Sequence, residues 1–411
     1  MDAATLFKWN RFDLPAKYLY AKFREKDINS TFGLELYKEH LRVWNNFVEY
    51  NNPHKNSFEK FKEVFDSLLD DVKTSGFDGD KSKIVINDQN YLLNGAHRTT
   101  ACFLYKKDVV TTTIGSGQAN CDYNLFKGNG LSEFYMDSMA YELSKLNKQM
   151  LVVTIFPSAP GHDTEIETII KKAGNIAYKK HVHLNENGAF NLMRQLYYNE
   201  SWAGGWGNNF AGFRDKARFC FPNYSPVKVY LVEFTDISQA HPIKQQIRSI
   251  FNIGNHSVHI NDSHAETIRA ARVLFNKNSI HFMNKSKLKH YQGFEDQLNY
   301  FKTYIINNGL DSEDYCVSAS SILSMYGLRE GNDLDYLHKG PEITGHRLVH
   351  SHNKYGQGRY HTHKDNIIYN PENHFYFNDI KFASLNTIKL LKEKRGEPKD
   401  ITDVRLLQGV E

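Results

Sequence analysis

Strand-length apolar runs, separated by stretches of helical periodicity, constrain this chain more than any other feature. Ile84-Val85-Ile86, the run LVVTIF beginning at Leu151, Val227–Phe234, Leu334–Leu337 and the segment His374–Phe382 each read as one strand or a little more. Between such runs, apolar residues recur at three- and four-residue spacing, as in Phe58, Phe61, Phe65, Leu68, Leu69 and Val72, the stripe of a helix that buries one face. Strands mixed with amphipathic helices predict an α+β chain. No internal repeat is visible and there are only 10 Pro, so neither a solenoid nor a proline-rich linker is signalled. A chain of 411 residues divides into two or three units at roughly 100–200 residues each. Pattern changes predict three: 1–120, 121–290 with an α/β character, and 291–411.

In the first unit, residues 15–75 read as helices, the second stopping at Gly76. A polar turn at Asn87–Asn90 joins Ile84-Val85-Ile86 to Tyr91-Leu92-Leu93, and Asn94-Gly95-Ala96-His97-Arg98 opens a helix through Leu104. In the middle unit the strand at Leu151 precedes a helix over 163–172, the Gly-rich stretch 203–212, the strand Val227–Phe234, and helices over 243–251 and 265–275. The third unit predicts helices over 294–307 and 322–326, the strand ending Leu334–Leu337, a His-rich loop, strands near 366–369 and 374–382, and a helix over 385–394.

Charge and apolar content narrow the class. With 51 Lys+Arg against 47 Asp+Glu the net charge is only +4, which argues against a nucleic-acid partner held by bulk electrostatics. The longest apolar stretch is far below the roughly 20 residues that cross a bilayer, and Lys8, Arg11 and Asp13 stand where a signal peptide needs an apolar core. A cytoplasmic protein without a membrane span is expected. Cys102, Cys121, Cys220 and Cys316 lie far apart, so neither a zinc knuckle nor a disulfide framework is signalled.

Gly95 permits a tight turn, and the amides that follow it, with Arg98, suit an anion at a helix start. The stretch from Leu68 through Gly95, His97 and Arg98 resembles the core of the ParB/sulfiredoxin-like family, with Asn94 in place of the usual Asp and Lys83 where Pro is common. The resemblance implies a nucleotide- or phosphate-binding lobe at Gly95, His97 and Arg98. Its relatives include kinases of small metabolites, sulfiredoxin and DNA-partitioning clamps.

Ser320-Ser321, eleven further residues and then Asp333-Leu334-Asp335 form the other pattern. Period 2 places Asp333 and Asp335 on one strand face, able to share Mg²⁺ against a triphosphate. The pattern resembles the DNA polymerase beta-like nucleotidyltransferases, with Ser-Ser for the usual Gly-Ser. The resemblance implies Asp333 and Asp335 as metal-holding catalytic residues, with Asp379, and Glu372 after it, as candidates for a third carboxylate. It assigns Ser320, Ser321, Arg329, Lys392 and Arg395 to the nucleotide phosphates, and it extends through Lys399, Asp400 and Asp403.

Seven of the 19 histidines fall within residues 338–374, including His350-x-His352 and His361-x-His363, without an accompanying Cys. In the middle unit Lys244 and Arg248 lie one helical turn apart, His259, Asp262 and Glu266 follow, and the Gly-rich 203–212 stretch precedes Lys216 without P-loop spacing. Taken together, these features predict a Mg²⁺-dependent nucleotidyl- or phosphotransferase using a nucleoside triphosphate and a small metabolite or sugar. The alternatives are a small-molecule kinase acting through the N-terminal lobe and a DNA-binding regulator of the partition type.

Overall fold

The computed structural model describes residues 1–49, 52–117, 121–356 and 358–410. The N-terminal part holds α1 (Leu14–Glu25), α2 (Phe32–Asn45), α3 (Phe58–Ser75), β1 (Ile84–Ile86), β2 (Leu92–Asn94), α4 (Ala96–Leu104) and β3 (Thr111–Thr113). Ser57 caps α3 by accepting from the Lys60 amide, and Gly76 ends it at φ 79°. The small sheet runs β2-β1-β3, antiparallel then parallel.

The middle part comprises α5 (Tyr123–Gly128), α6 (Glu133–Leu146), β4 (Met150–Ile155), α7 (Asp163–Ala173), β5 (Gly174–Val182), α8 (Glu186–Leu196), α9 (Ala211–Cys220), β6 (Val227–Phe234), α10 (Ala240–Phe251), β7 (Val258–Ile260), α11 (His264–Leu274) and α12 (Lys277–Lys285). Its antiparallel sheet is ordered β5-β6-β4-β7. Each β-α-β pair thus brackets a strand of the other, the split β-α-β arrangement. Every residue of β4 is buried, as a strand covered on both faces requires.

The C-terminal part contains α13 (Gln292–Asn307), β8 (Tyr315–Ser318), α14 (Ser321–Met325), β9 (Leu334–His338), β10 (Val349–Ser351), α15 (Asn353–Gly356), α16 (Lys364–Tyr369), β11 (His374–Phe377), β12 (Ile380–Ala383), α17 (Leu385–Arg395) and α18 (Pro398–Gln408). Its mixed sheet is ordered β10-β9-β8-β12-β11.

One expectation changes. Residues 366–369 are the end of helix α16, not a strand: His363 caps the helix by accepting from the Asp365 amide, and a short Ile-Ile-Tyr run carries no period of its own. One continuous core runs from Phe12 to Val410, and a second lies within the N-terminal part between Ala3 and Val109.

A largely buried carboxylate joins the middle and C-terminal parts. Glu313 accepts from Tyr141 of α6 at 2.9 Å and Tyr376 of β11 at 2.8 Å, and pairs with Arg272 of α11 at 2.8 Å and Lys381 of β12 at 3.1 Å. All four cysteines are buried and free. Among the described residues no helix is long and apolar enough to cross a membrane.

Candidate functional site

The C-terminal site forms where three neighbouring strands end side by side. Asp335 on β9 is in register with Ser318 on β8 and with His350 on β10, so the three side chains share a face. Ser321 fixes the strand to the turn before α14, because its hydroxyl accepts from the Asp335 amide at 3.3 Å and donates to the Asp333 carbonyl at 3.4 Å. Leu334, between the two acids, is fully buried on the other side. Beside them Tyr360 donates to Ser318 Oγ at 2.9 Å and meets His352 Nδ1 at 3.0 Å. Burial keeps His352 neutral, lowering it to about 4.

Asp333 and Asp335 stand out by their lack of partners. Burial pushes the Asp335 carboxyl up to about 6, and the neighbouring Asp333 charge adds to the shift. Among the described residues neither acid has a cation at ion-pair distance. Asp13 is matched by Arg11 and Lys17, Asp137 by Lys180, and Asp400 by Lys392 and Arg395, while Glu233, which lacks a cation, still accepts from the Trp9 amide and the Asn147 side chain.

The remaining assignments of this lobe divide. Lys392, 1% exposed, lies between Asp400 at 3.2 Å and Asp403 at 2.7 Å. Arg395 grips Asp400 with two hydrogen bonds, and Arg329 does the same to Asp403 at 2.6 and 2.7 Å. These three cations therefore brace α17 and α18 against the loop before β9, while the field of Lys392 and Arg395 partly offsets the upward shift of Asp335. Ser320 stands at the start of α14.

Asp379 is not brought to the site. Asn378 and Asp379 have φ of 50° and 64° and form the two-residue turn of the β11–β12 hairpin, where Phe377 pairs with Ile380. The parallel register of β12 with β8, Phe382 beside Val317, puts this turn at the opposite end of the sheet from Asp335. There Asp379 binds Arg269 at 2.9 Å and Lys302 at 3.5 Å. Glu372 pairs with Lys277 on the surface. The position across from Asp335 on the outer strand belongs to His350, which sequence reading grouped with its neighbouring histidines rather than with the acids.

The N-terminal residues line a separate cleft of about 700 Å³. Gly95 caps α4 at φ 106°, and a Cβ there would sit 2.6 Å from Ile84 Cδ1 and 3.3 Å from an Arg98 nitrogen, so the turn demands glycine. Arg98 donates only to the Lys83 carbonyl, at 3.3 Å, and burial lowers its pKa; no carboxylate neutralises it among the described residues. His97 meets Tyr37 Oη at 2.9 Å and packs edge-on against Phe65, and burial holds it well below its ordinary value, so it enters the cleft as a neutral ring.

The cleft also holds a network that sequence reading missed. Lys17 is fully buried, 2.7 Å from Asp13 and 3.1 Å from His40 Nε2, and Arg11 clasps Asp13 with two bonds. Burial opposes the Asp13 charge, but Arg11 and Lys17 hold its carboxyl well below the usual range. The i,i+4 spacing of Asp13 and Lys17 at the start of an apolar helix was the available signal.

Comparison with protein-family models, curated proteins and solved structures finds no match. Among the described residues no group of three or more His, Cys, Asp or Glu side chains is placed to hold a metal by itself. The donor set at Asp333 and Asp335 suits instead a hard cation that takes one or two carboxylates and completes its shell with phosphate oxygens and water.

Proposed function

We propose that the chain is a cytoplasmic, Mg²⁺-dependent transferase that moves a nucleotidyl or phosphoryl group from a nucleoside triphosphate to a small metabolite or sugar. The observation that carries this reading is the pair of crowded acids, Asp333 and Asp335, whose carboxylates have neither a cation nor a hydrogen-bond donor among the described residues. Mg²⁺ bound there would supply charge neutralisation for an in-line displacement at phosphorus. Ser321 holds the acids in place through the β9 backbone, Leu334 anchors the strand, and His350 flanks the reacting face from β10. Four buried, unbridged cysteines fit a reducing compartment.

A second reading, a small-molecule kinase working through the N-terminal lobe, is favoured by Arg98, an unneutralised cation beside the Gly95 turn in a cleft that Arg11, Lys17 and Lys55 also line. Incubation with labelled nucleoside triphosphates, Mg²⁺ and a panel of sugars separates the two. Pyrophosphate release abolished by Asp333→Asn supports nucleotidyl transfer at the C-terminal site. Diphosphate release abolished by Arg98→Ala, and untouched by Asp333→Asn, moves the chemistry to the N-terminal lobe.

A further inference from the structure

Two stretches of the middle part that are remote in sequence meet in one cleft of about 680 Å³, within the range of small-molecule sites. Lys216 of α9 and Lys244 and Arg248 of α10 line it, with His259 of β7 beneath them and Trp202 and Phe219 at its mouth. The Gly-rich segment before Lys216 and the basic pair of α10, individually unremarkable in sequence, thus face a common space.

Three cations, Lys216, Lys244 and Arg248, and three carboxylates, Glu200, Asp215 and Asp262, line this cleft, but they are not all paired with one another. Lys244 pairs with Asp262 at 2.9 Å, Asp215 with Arg218 at 3.3 Å, and Glu200 accepts from the Trp202 indole at 3.1 Å. Lys216 donates to the Asn255 carbonyl at 2.6 Å and has no carboxylate partner among the described residues. Arg248 has none either, and its Nε is buried without any hydrogen-bond acceptor. A buried guanidinium nitrogen without an acceptor is costly, and a ligand that supplies an acceptor removes that cost. His259 is 8% exposed; its Nε2 meets Asn261, its ring packs edge-on against Tyr197, and Nδ1 has no protein partner among the described residues. Burial, reinforced by Lys244, lowers this imidazole to about 3, so it stays neutral at physiological pH.

Trp202 and Phe219 leave 43% and 52% of their surface open at the rim. A cationic floor under exposed planar rings matches a ligand that carries phosphates at one end and a flat heterocycle at the other. We propose that the middle part binds a nucleotide in this cleft, its phosphates held by Lys216 and Arg248 above His259 and its base stacked against Trp202 or Phe219. This site is independent of the transferase reading, since none of its residues belongs to the Asp333–Asp335 site or to the Gly95 cleft.

The test is titration calorimetry on the full chain carrying Asp333→Asn, Asp335→Asn and Arg98→Ala, with ATP or inorganic triphosphate and no divalent cation. The expected result is one ATP bound per chain. Adding Lys216→Ala or Arg248→Gln should weaken affinity at least about tenfold, with thermal unfolding confirming the fold. Trp202→Ala should weaken ATP about three- to tenfold and leave inorganic triphosphate unchanged. Absence of ATP binding, or unchanged affinity in both folded cation variants, overturns the site. Equal affinity for ATP and inorganic triphosphate, unaffected by Trp202→Ala, overturns the assignment of a nucleotide. Should Arg248→Gln fail to fold, the Lys216→Ala and Trp202→Ala arms decide the question.

Discussion

Asp335 keeps a carboxylate where its surroundings favour a neutral group, and that imbalance makes the residue testable. It titrates near 6 in the folded chain against an ordinary 3.8. Between those values the folded state holds a proton that the unfolded state has lost, so this group's contribution to stability falls as pH rises through the window. Asp335→Asn should therefore stabilise the protein by about 1–3 kcal/mol near pH 7, and the gain should vanish below about pH 4. Thermal unfolding across pH checks this. The same variant should lose at least about 100-fold in turnover. A more stable, inactive protein is the signature of a charge retained for chemistry. Leu334→Asp should instead unfold the lobe, since it buries an unpaired charge in a fully enclosed position. In the N-terminal cleft, Arg98→Ala should weaken phosphate or nucleotide binding by about 1.5–3 kcal/mol with little change in stability, read by calorimetry.

At the scale of elements, Gly95→Ala tests the turn into α4. The added methyl meets Ile84 Cδ1 while the backbone stays at φ 106°, so a loss of about 1–3 kcal/mol is expected in chemical denaturation. Such elements were legible where local chemistry decides them. The α3 stripe with its Gly76 stop and the β6 and β9 strands follow from periodicity and punctuation. Asp335 lies on β9 as the alternation predicts, whereas Asp333 falls in the bend just before that strand. Strand β5 was not legible, because its polar stretch Lys179-Lys180-His181 looks like a loop; only the fold shows Lys180 buried against Asp137 at 2.7 Å. Asp379 misled for a related reason. Its Asn-Asp pair is a hairpin-turn signature, and which end of the sheet the hairpin reaches depends on the pairing of β12 with β8, a non-local fact. The Arg11, Asp13, Lys17 and His40 network likewise depends on which helix faces meet.

For the whole molecule, Glu313 is the joint that matters. Burial alone would raise its carboxyl, yet Lys381 and Arg272 hold it well below the ordinary range. Its contribution is present above the unfolded pKa and is lost as pH falls through the folded one, so acid should loosen the middle and C-terminal parts together. Glu313→Gln leaves Arg272 and Lys381 facing a neutral group and should cost about 3–5 kcal/mol, with the heat-capacity trace of both proteins showing the middle and C-terminal parts melting in one transition.

The ring of Phe282 on α12 stacks on Phe375 of β11 at 4.6 Å and meets Phe377 at 4.9 Å. That contact lies across position 290, where the sequence pattern changes, so genetic recombination there would split an aromatic cluster rather than pass through a spacer. The middle and C-terminal parts are consequently poor cassettes for exchange: a donor segment would have to arrive with a matching aromatic face, and a lineage that shuffled one part would have to carry the other with it.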